Sequence, residues 1–385
     1  MGITRTEAQK FILPDFGMDP YFPKEARCGE EHVRHMLQVV YPILASYRKV
    51  LIGKKSPMPT YTALGMFAVG DTDQGHRGTG HIWLIDLPGK GKTLLAKVPA
   101  ILVGCEVGRF QGVPDALTAD YTGNYIIDFD DEGKRYFRLV KGPGFAPIQL
   151  IDEVNRLSPR AQSALLEVLS EGTITIAGKT HKLPYSPFCI FTSNPIETEG
   201  TNPVGKALSD RMMFQITGET FDAEIFASIL KHTDTFDSVE LKQICDLDRV
   251  QEIREFFYRS VILDDKIAML IGRLCERMNN PGRFHLLRQY EETHGGIVVE
   301  TAISGRGDVH LKGAARAMAA FKYRNFITPD DVYKVARHVL RHRVVFAKGV
   351  TRTLQEELKL NSEIAARDVL IDTLVTEAWS STHET

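Results

Sequence analysis

The stretch Pro88-Gly89-Lys90-Gly91-Lys92-Thr93-Leu94 carries residue types that grip phosphate, directly behind an apolar, strand-like run at 81 to 85. Gly89 and Gly91 lack a Cβ, so the backbone can turn tightly and aim its N–H groups at phosphate oxygens. Lys92 would stand at the start of the following helix, read as 93 to 97. There an ammonium group and the helix N-terminus both favour the β- and γ-phosphates. The Thr93 hydroxyl is of the kind that ligates Mg²⁺ beside a nucleotide. The pattern G-x-x-x-x-G-K-[ST] is met at Gly91, Lys92 and Thr93, with Asp86 where its first glycine would stand. Nucleotide binding is the expectation.

A second apolar run, 148 to 151, stops at Asp152-Glu153. Acidic residues at the carboxyl end of a parallel strand lie in the crevice where such sheets bind ligands. Asp152 would hold Mg²⁺, and Glu153 would orient and help deprotonate the attacking water. A third run, 188 to 191, ends at Thr192-Ser193-Asn194-Pro195, where Asn194 can hydrogen-bond that water or the γ-phosphate. Alone, an acidic pair closing a strand or an asparagine before proline is an ordinary solvated strand end or turn. The combination with the phosphate loop gives these residues their meaning.

The elements that must hold these groups are visible in part. Residues 31 to 53 read as a helix with Val33, Met36, Leu37, Val40 and Tyr41 on one face. The stretch 56 to 80 contains Pro57, Pro59 and several glycines, and reads as a long loop or hairpin. The glycine- and aspartate-rich segment 108 to 144, with an alternating run at 136 to 140, reads as an insertion in an α/β core. Ser158-Pro159 opens a helix with Ala161, Ala164, Leu165, Val168 and Leu169 on one face, and 173 to 183 alternates about Ala177-Gly178 as a hairpin. From about 219 the pattern is mainly helical, most plainly after Thr328-Pro329-Asp330-Asp331. His338 and His342 have metal-ligand spacing but no third ligand in view, and read as a solvated basic helix end. The tail, 347 to 385, reads as a charged helix-like segment at 354 to 364 and a frayed polar end.

A chain of 385 residues with 43% apolar content is long enough for two to three ordinary globular domains. A formal charge of −2 with interspersed signs gives no global reason to expect a nucleic-acid or membrane-surface protein. Five scattered cysteines without a C-x-x-C pair suit a reducing compartment and argue against a zinc site. With no signal-peptide pattern and no long apolar run, a cytoplasmic location without membrane insertion is expected.

Strand, phosphate loop, insertion, strand with D-E, capped helix, hairpin, strand with N-P and helical lid together resemble the MoxR family of AAA+ ATPases. The similarity covers about residues 80 to 345 and is firmest from 145 to 215. It is carried by RFQGVPDALTADYTG (109 to 123), LIDEVNRLSPRAQSALLEVLSEGTITIAGKTHKLP (150 to 184), FTSNPIETEGTNP (191 to 203) and ITPDDVYKVARHVLRHRV (327 to 344).

The resemblance implies an α/β fold, an AAA+ P-loop αβα core with a smaller all-α lid, assembled as a ring, usually a hexamer, with ATP and Mg²⁺ between neighbours. Expected divisions are an N-terminal extension at 1–79, the ATPase core at 80–218, the lid at 219–346 and a tail at 347–385. Asn194 matches the sensor 1 position, Arg211 the arginine finger offered to the next subunit, and Arg306 the sensor 2 arginine of the lid. A guanidinium suits charge spread over a transferring phosphoryl group. The segments 112 to 144 and 173 to 182 correspond to the helix-2 insert and the pre-sensor-1 hairpin, which in related rings face partners or the pore. The family matures or activates protein complexes, often with a von Willebrand factor A domain protein. Asp86 departs from its usual glycine, while 56 to 79, 282 to 303 and the tail exceed the family pattern. Two other readings stay open at this stage: a nucleotide-gated binding module with little turnover, and a nucleic-acid motor using the basic Lys179-Thr180-His181-Lys182 hairpin.

Overall fold

The computed structural model describes residues 2–50, 56–73, 76–85, 92–194, 201–217, 240–280, 288, 292, 299–301, 303–347, 349–360 and 363–383. Five short strands form the central sheet: β1 (Ile82–Ile85), β2 (Val107–Gln111), β3 (Ile148–Asp152), β4 (Phe188–Ser193) and β5 (Phe214–Thr217). They lie in the order β5-β1-β4-β3-β2, and every pairing is parallel. Parallel pairing demands crossovers that cover both faces of the sheet. Alternate residues therefore enter different cores: Ile148, Leu150, Phe188 and Ile190 one, Ile151, Cys189 and Phe191 the other.

Helix Pro159–Glu171 covers the second core. It has the expected start, with Ser158 Oγ accepting from the Ala161 N–H and Pro159 in the first turn, and Gly172 ends it in a left-handed conformation. The first core runs without a break from the N-terminal helices, under helix Lys92–Leu102, into the C-terminal helical region. This is an α/β P-loop core with a helical lid. The N-terminal helix is close to its expected span, as Glu30–His35, a π-turn at Met36–Val40 and Tyr41–Val50.

Three sequence expectations need correction, and one strand has no counterpart among them. The insertion does not begin at 108, because Val107–Gln111 is a strand of the sheet. Its glycines signalled a loop, yet they mark close backbone approach: a Cβ on Gly108 would meet Pro143 O at 2.1 Å. The hairpin expected within 56 to 80 is present as the antiparallel pair Val69–Asp73 and His76–Thr79, but a helix, Met58–Phe67, stands before it in place of a loop. That helix is buried all round, so it has no amphipathic period to detect. β5 was not anticipated, being only four residues long. The tail is not frayed: helix Glu363–His383 buries Ala366, Leu370, Ile371, Leu374, Val375 and Ala378. Ion pairs Arg341–Asp368 and Arg337–Asp372 fasten it to the preceding helices.

The remainder of the insertion is helix Thr118–Thr122 and a hairpin of Gly123–Phe129 with Arg135–Lys141. Ile127, Phe129 and Phe137 on one face of this hairpin are 59%, 58% and 73% exposed. The second hairpin, Thr173–Ile176 with Lys179–Lys182, is anchored by buried Ile174 and Ile176. The two hairpins meet where the Tyr125 hydroxyl lies 3.2 Å from His181 Nε2. Among the described residues no helix is long and apolar enough to cross a membrane.

The all-buried helix gives a direct test of packing. A Cβ on Gly65 would stand 2.3 Å from Gly80 O, whereas one on Gly272, within helix Asp265–Met278, meets nothing within 4 Å. Gly65→Ala should lose about 2 kcal/mol of stability in urea titrations, and Gly272→Ala should gain about 0.5–1 kcal/mol. Equal effects of the two changes would contradict the packing described.

Candidate active site

The parallel register brings the carboxyl ends of β1, β3 and β4 to one edge: Ser193 pairs with Ile85, and Phe191 with Ile151. Helix Lys92–Leu102 follows β1, longer than the expected 93 to 97. Lys92 and Thr93 open it, and Leu94 packs half-buried on the first core. Asp86, Pro88, Gly89, Lys90 and Gly91 lie outside the described residues.

Asp152 closes β3. Its Oδ1 accepts from the Thr192 hydroxyl at 2.6 Å, and Arg109 Nη2 donates to its Oδ2 at 2.9 Å. The next residue, Glu153, takes a left-handed backbone with φ 54°. For a residue with a Cβ this costs about 1–2 kcal/mol and needs support from its surroundings. The support is visible: the Glu153 N–H donates to Thr192 Oγ1 at 2.9 Å, and the Gly112 N–H donates to Asp152 O at 2.6 Å. A Cβ on Gly112 would meet Glu153 O at 2.1 Å, so glycine is required there. The turned backbone brings Glu153 Oε2 to Gln111 Nε2 and Arg156 Nε, each at 3.2 Å. Two adjacent carboxylates are thus balanced by two guanidinium groups.

Asn194 follows β4 and is buried, and its neighbour Ser193 accepts from Trp83 Nε1 at 2.8 Å. Arg211 lies between the short helix Lys206–Ser209 and β5, donating from Nη1 to Ala207 O at 2.8 Å and from Nε to Ser170 Oγ. Arg306 sits in the first turn of helix Gly305–Phe321, with Nη1 3.8 Å from Asp210 Oδ2. Asp152, Glu153 and Asn194 share the strand-end edge, while Arg306 faces Asp210, the residue that precedes Arg211. Sequence reasoning assigned no role to Arg109, Gln111, Arg156 or Thr192, although the strings that carry the resemblance contain all four. Alternation along β2, which puts 109 and 111 on one side, was the available signal.

His338 and His342 are not a solvated helix end. The His338 ring lies on Tyr61 with centroids 4.1 Å apart, and His342 is buried with Nε2 2.9 Å from Met212 O. Burial among arginines holds both imidazoles neutral, His338 being pushed down to about 3.

Comparison with known proteins accords with this arrangement. Residues 81–214 match the model of the ATPase family associated with various cellular activities, and 291–363 match its AAA lid domain. The chain is 33% identical to the chaperone MoxR1 of Mycobacterium tuberculosis over 270 residues, 69% of this chain and 68% of that one. It is 32% identical to YeaC of Bacillus subtilis over 269 residues, 69% of this chain and 78% of the other. A solved structure from Cytophaga hutchinsonii superposes with a TM-score of 0.71 at 26% identity, covering 90% of this chain and 96% of its own. The chain belongs to the MoxR family of AAA+ ATPases, and is a nucleotide-binding protein of that class.

The residues present suit the divalent cation that such chemistry uses. Asp152 offers a hard oxygen donor at a strand end, with a side chain 15% exposed, and the exposed guanidinium of Arg109 is its partner at Oδ2.

Buried neutral histidines give a pH signature. His32 is pushed down to about 4 by burial, with Nε2 3.0 Å from Ala320 O, and His338 lies lower still. Below about pH 6.5 the unfolded chain takes up protons that the fold refuses, so stability falls with pH. Each histidine should contribute a loss approaching about 1.4 kcal/mol per pH unit until pH approaches 4. Urea titrations at pH 7.5, 6.0 and 5.0 should show this decline, flatter in His32→Asn; a pH-independent wild type would contradict it.

Proposed function

We propose that this protein hydrolyses ATP with Mg²⁺ at the interfaces of a ring, most simply a hexamer, and uses the cycle to remodel, mature or activate a partner protein complex. The observation that carries the reading is the shared edge of β1, β3 and β4, where Asp152 and Glu153 end β3, Asn194 follows β4, and β1 precedes helix Lys92–Leu102. In this reading Pro88, Gly89, Lys90, Gly91, Lys92, Thr93 and Leu94 hold the phosphates, the backbone supplying N–H groups and Lys92 a positive charge. Asp152 and Thr93 hold Mg²⁺, which would neutralise charge on the β- and γ-phosphates when bound. Glu153 takes a proton from the attacking water, and Asn194 orients that water. Arg211 serves the neighbouring subunit's nucleotide, and Arg306, on the lid, takes the sensor 2 role.

One further feature supports a protein client. The exposed apolar face at Ile127, Phe129 and Phe137 offers contact area for another polypeptide. A partner with a von Willebrand factor A domain is the client-side protein that the family suggests. A cytoplasmic location follows the same reading. A second reading, nucleotide-gated binding with slow turnover, draws support from Arg109 and Arg156, which occupy the two carboxylates. Turnover separates the two.

Purified protein should show ATPase activity that requires Mg²⁺ and is abolished by Lys92→Ala together with nucleotide binding. Glu153→Gln should retain binding of a fluorescent ATP analogue and lose at least about 10²-fold in kcat. Unchanged turnover in Glu153→Gln would refute its assigned role, and negligible turnover in the assembled wild type would favour the gated module.

A further inference from the structure

Asp210 is buried, 6% exposed, in the turn that carries Arg211. Ser304 Oγ lies 2.8 and 2.7 Å from its two carboxylate oxygens, donating its proton to the pair. The same hydroxyl accepts from the Arg306 N–H at 3.3 Å, forming the N-cap of helix Gly305–Phe321. Arg306 Nη1 is 3.8 Å from Oδ2 and Arg343 Nε is 3.4 Å from Oδ1. Fully buried Arg343 also donates from Nη2 to Asp210 O and Met212 O, both at 3.0 Å, locking the turn's backbone to the residues that follow helix Pro329–Leu340. One carboxylate thus joins the cap of a lid helix, the arginine in its first turn, and a buried guanidinium.

Arg211, the next residue of the same turn, has other partners, donating to Ser170 at the end of helix Pro159–Glu171 and to Ala207. Consecutive Cα atoms stay about 3.8 Å apart, so a displacement of Asp210 by the lid cannot leave Arg211 where it was. Burial strengthens the link. A buried carboxylate that lost these partners without gaining water would be left as an uncompensated charge in a site of low dielectric, so the contact ties helix to turn.

From this geometry we infer that Asp210 is a positioning residue: it couples the lid helix bearing Arg306 to Arg211, so that the lid position set by one subunit's nucleotide determines how Arg211 is presented to the next subunit. The inference rests on the reading of Arg211 and Arg306 given above. It differs from a purely structural role in one respect. A structural brace affects the fold independently of Arg211, whereas a coupling residue acts through it, and its effect vanishes once Arg211 is gone.

The test is a double-mutant cycle on ATPase kinetics with the full chain, using Asp210→Asn, Ser304→Ala, Arg211→Ala and each of the first two combined with the third. Asp210→Asn and Ser304→Ala should each lower kcat about tenfold while KM and binding of a fluorescent ATP analogue change less than about threefold. In the Arg211→Ala background neither should lower kcat further. Melting curves and particle size identify any variant that fails to fold or assemble, and Ser304→Ala, which keeps the charge balance around Arg343, carries the test if Asp210→Asn fails. A kcat loss that multiplies fully with Arg211→Ala, or unchanged kcat in Ser304→Ala, overturns the coupling while leaving Arg211's role intact. Unchanged kcat in Arg211→Ala itself overturns the reading of Arg211, and the coupling with it.

Discussion

Strand β4 pairs in parallel with β1 on one side and β3 on the other, and the positions of the charged groups at the candidate site follow from that pairing. Parallel strands end at the same edge, so the residues that follow them become neighbours despite sequence separations of many tens of residues. Thr192 shows the consequence at atomic scale. Its hydroxyl, on β4, donates to Asp152 and accepts from the Glu153 N–H, so the strand pairing holds the strained turn at Glu153 in place. Gly112 contributes from the residue after β2, where a larger residue would collide with that turn.

The lid depends on the sheet in a different way. No boundary separates the first core from the helical region: side chains of β1, β4 and β5 belong to the same apolar cluster as helices Gly305–Phe321, Pro329–Leu340 and Glu363–His383. Polar contacts add direction to this apolar contact. Asp210, Arg343 and Arg341 lie where the turn before β5, and β5 itself, meet the C-terminal helices, with Arg341 Nη1 donating to Thr217 Oγ1 at 3.1 Å. Buried guanidinium groups held by carbonyls and carboxylates tolerate few arrangements, which favours discrete over graded lid positions.

Much of the site was legible in the sequence because its chemistry is concentrated at strand ends. The strands ending at Asp152 and Asn194 could be read from apolar runs meeting polar residues, and the helix after Ser158-Pro159 from its cap and period. What stayed hidden lacked such contrast. Met58–Phe67 is apolar on all sides, β5 is four residues long, and β2 carries glycines that serve close packing while looking like loop residues. The long C-terminal helix did show its period at Ala366, Leu370, Leu374 and Ala378, but charged neighbours obscured it. Arg109, Gln111 and Arg156 were hidden for another reason: their importance lies in contacts across strands and turns, which spacing along the chain does not reveal.

The central claim is that hydrolysis needs groups from two subunits, Glu153 from one and Arg211 from the next. Mixing Arg211→Ala subunits with Glu153→Gln subunits, each strongly impaired alone, tests it directly, because some interfaces in a mixed ring unite an intact Glu153 with an intact Arg211. ATPase activity should reappear on mixing and subunit exchange. Mixtures that form rings yet stay as inactive as either variant alone would contradict it.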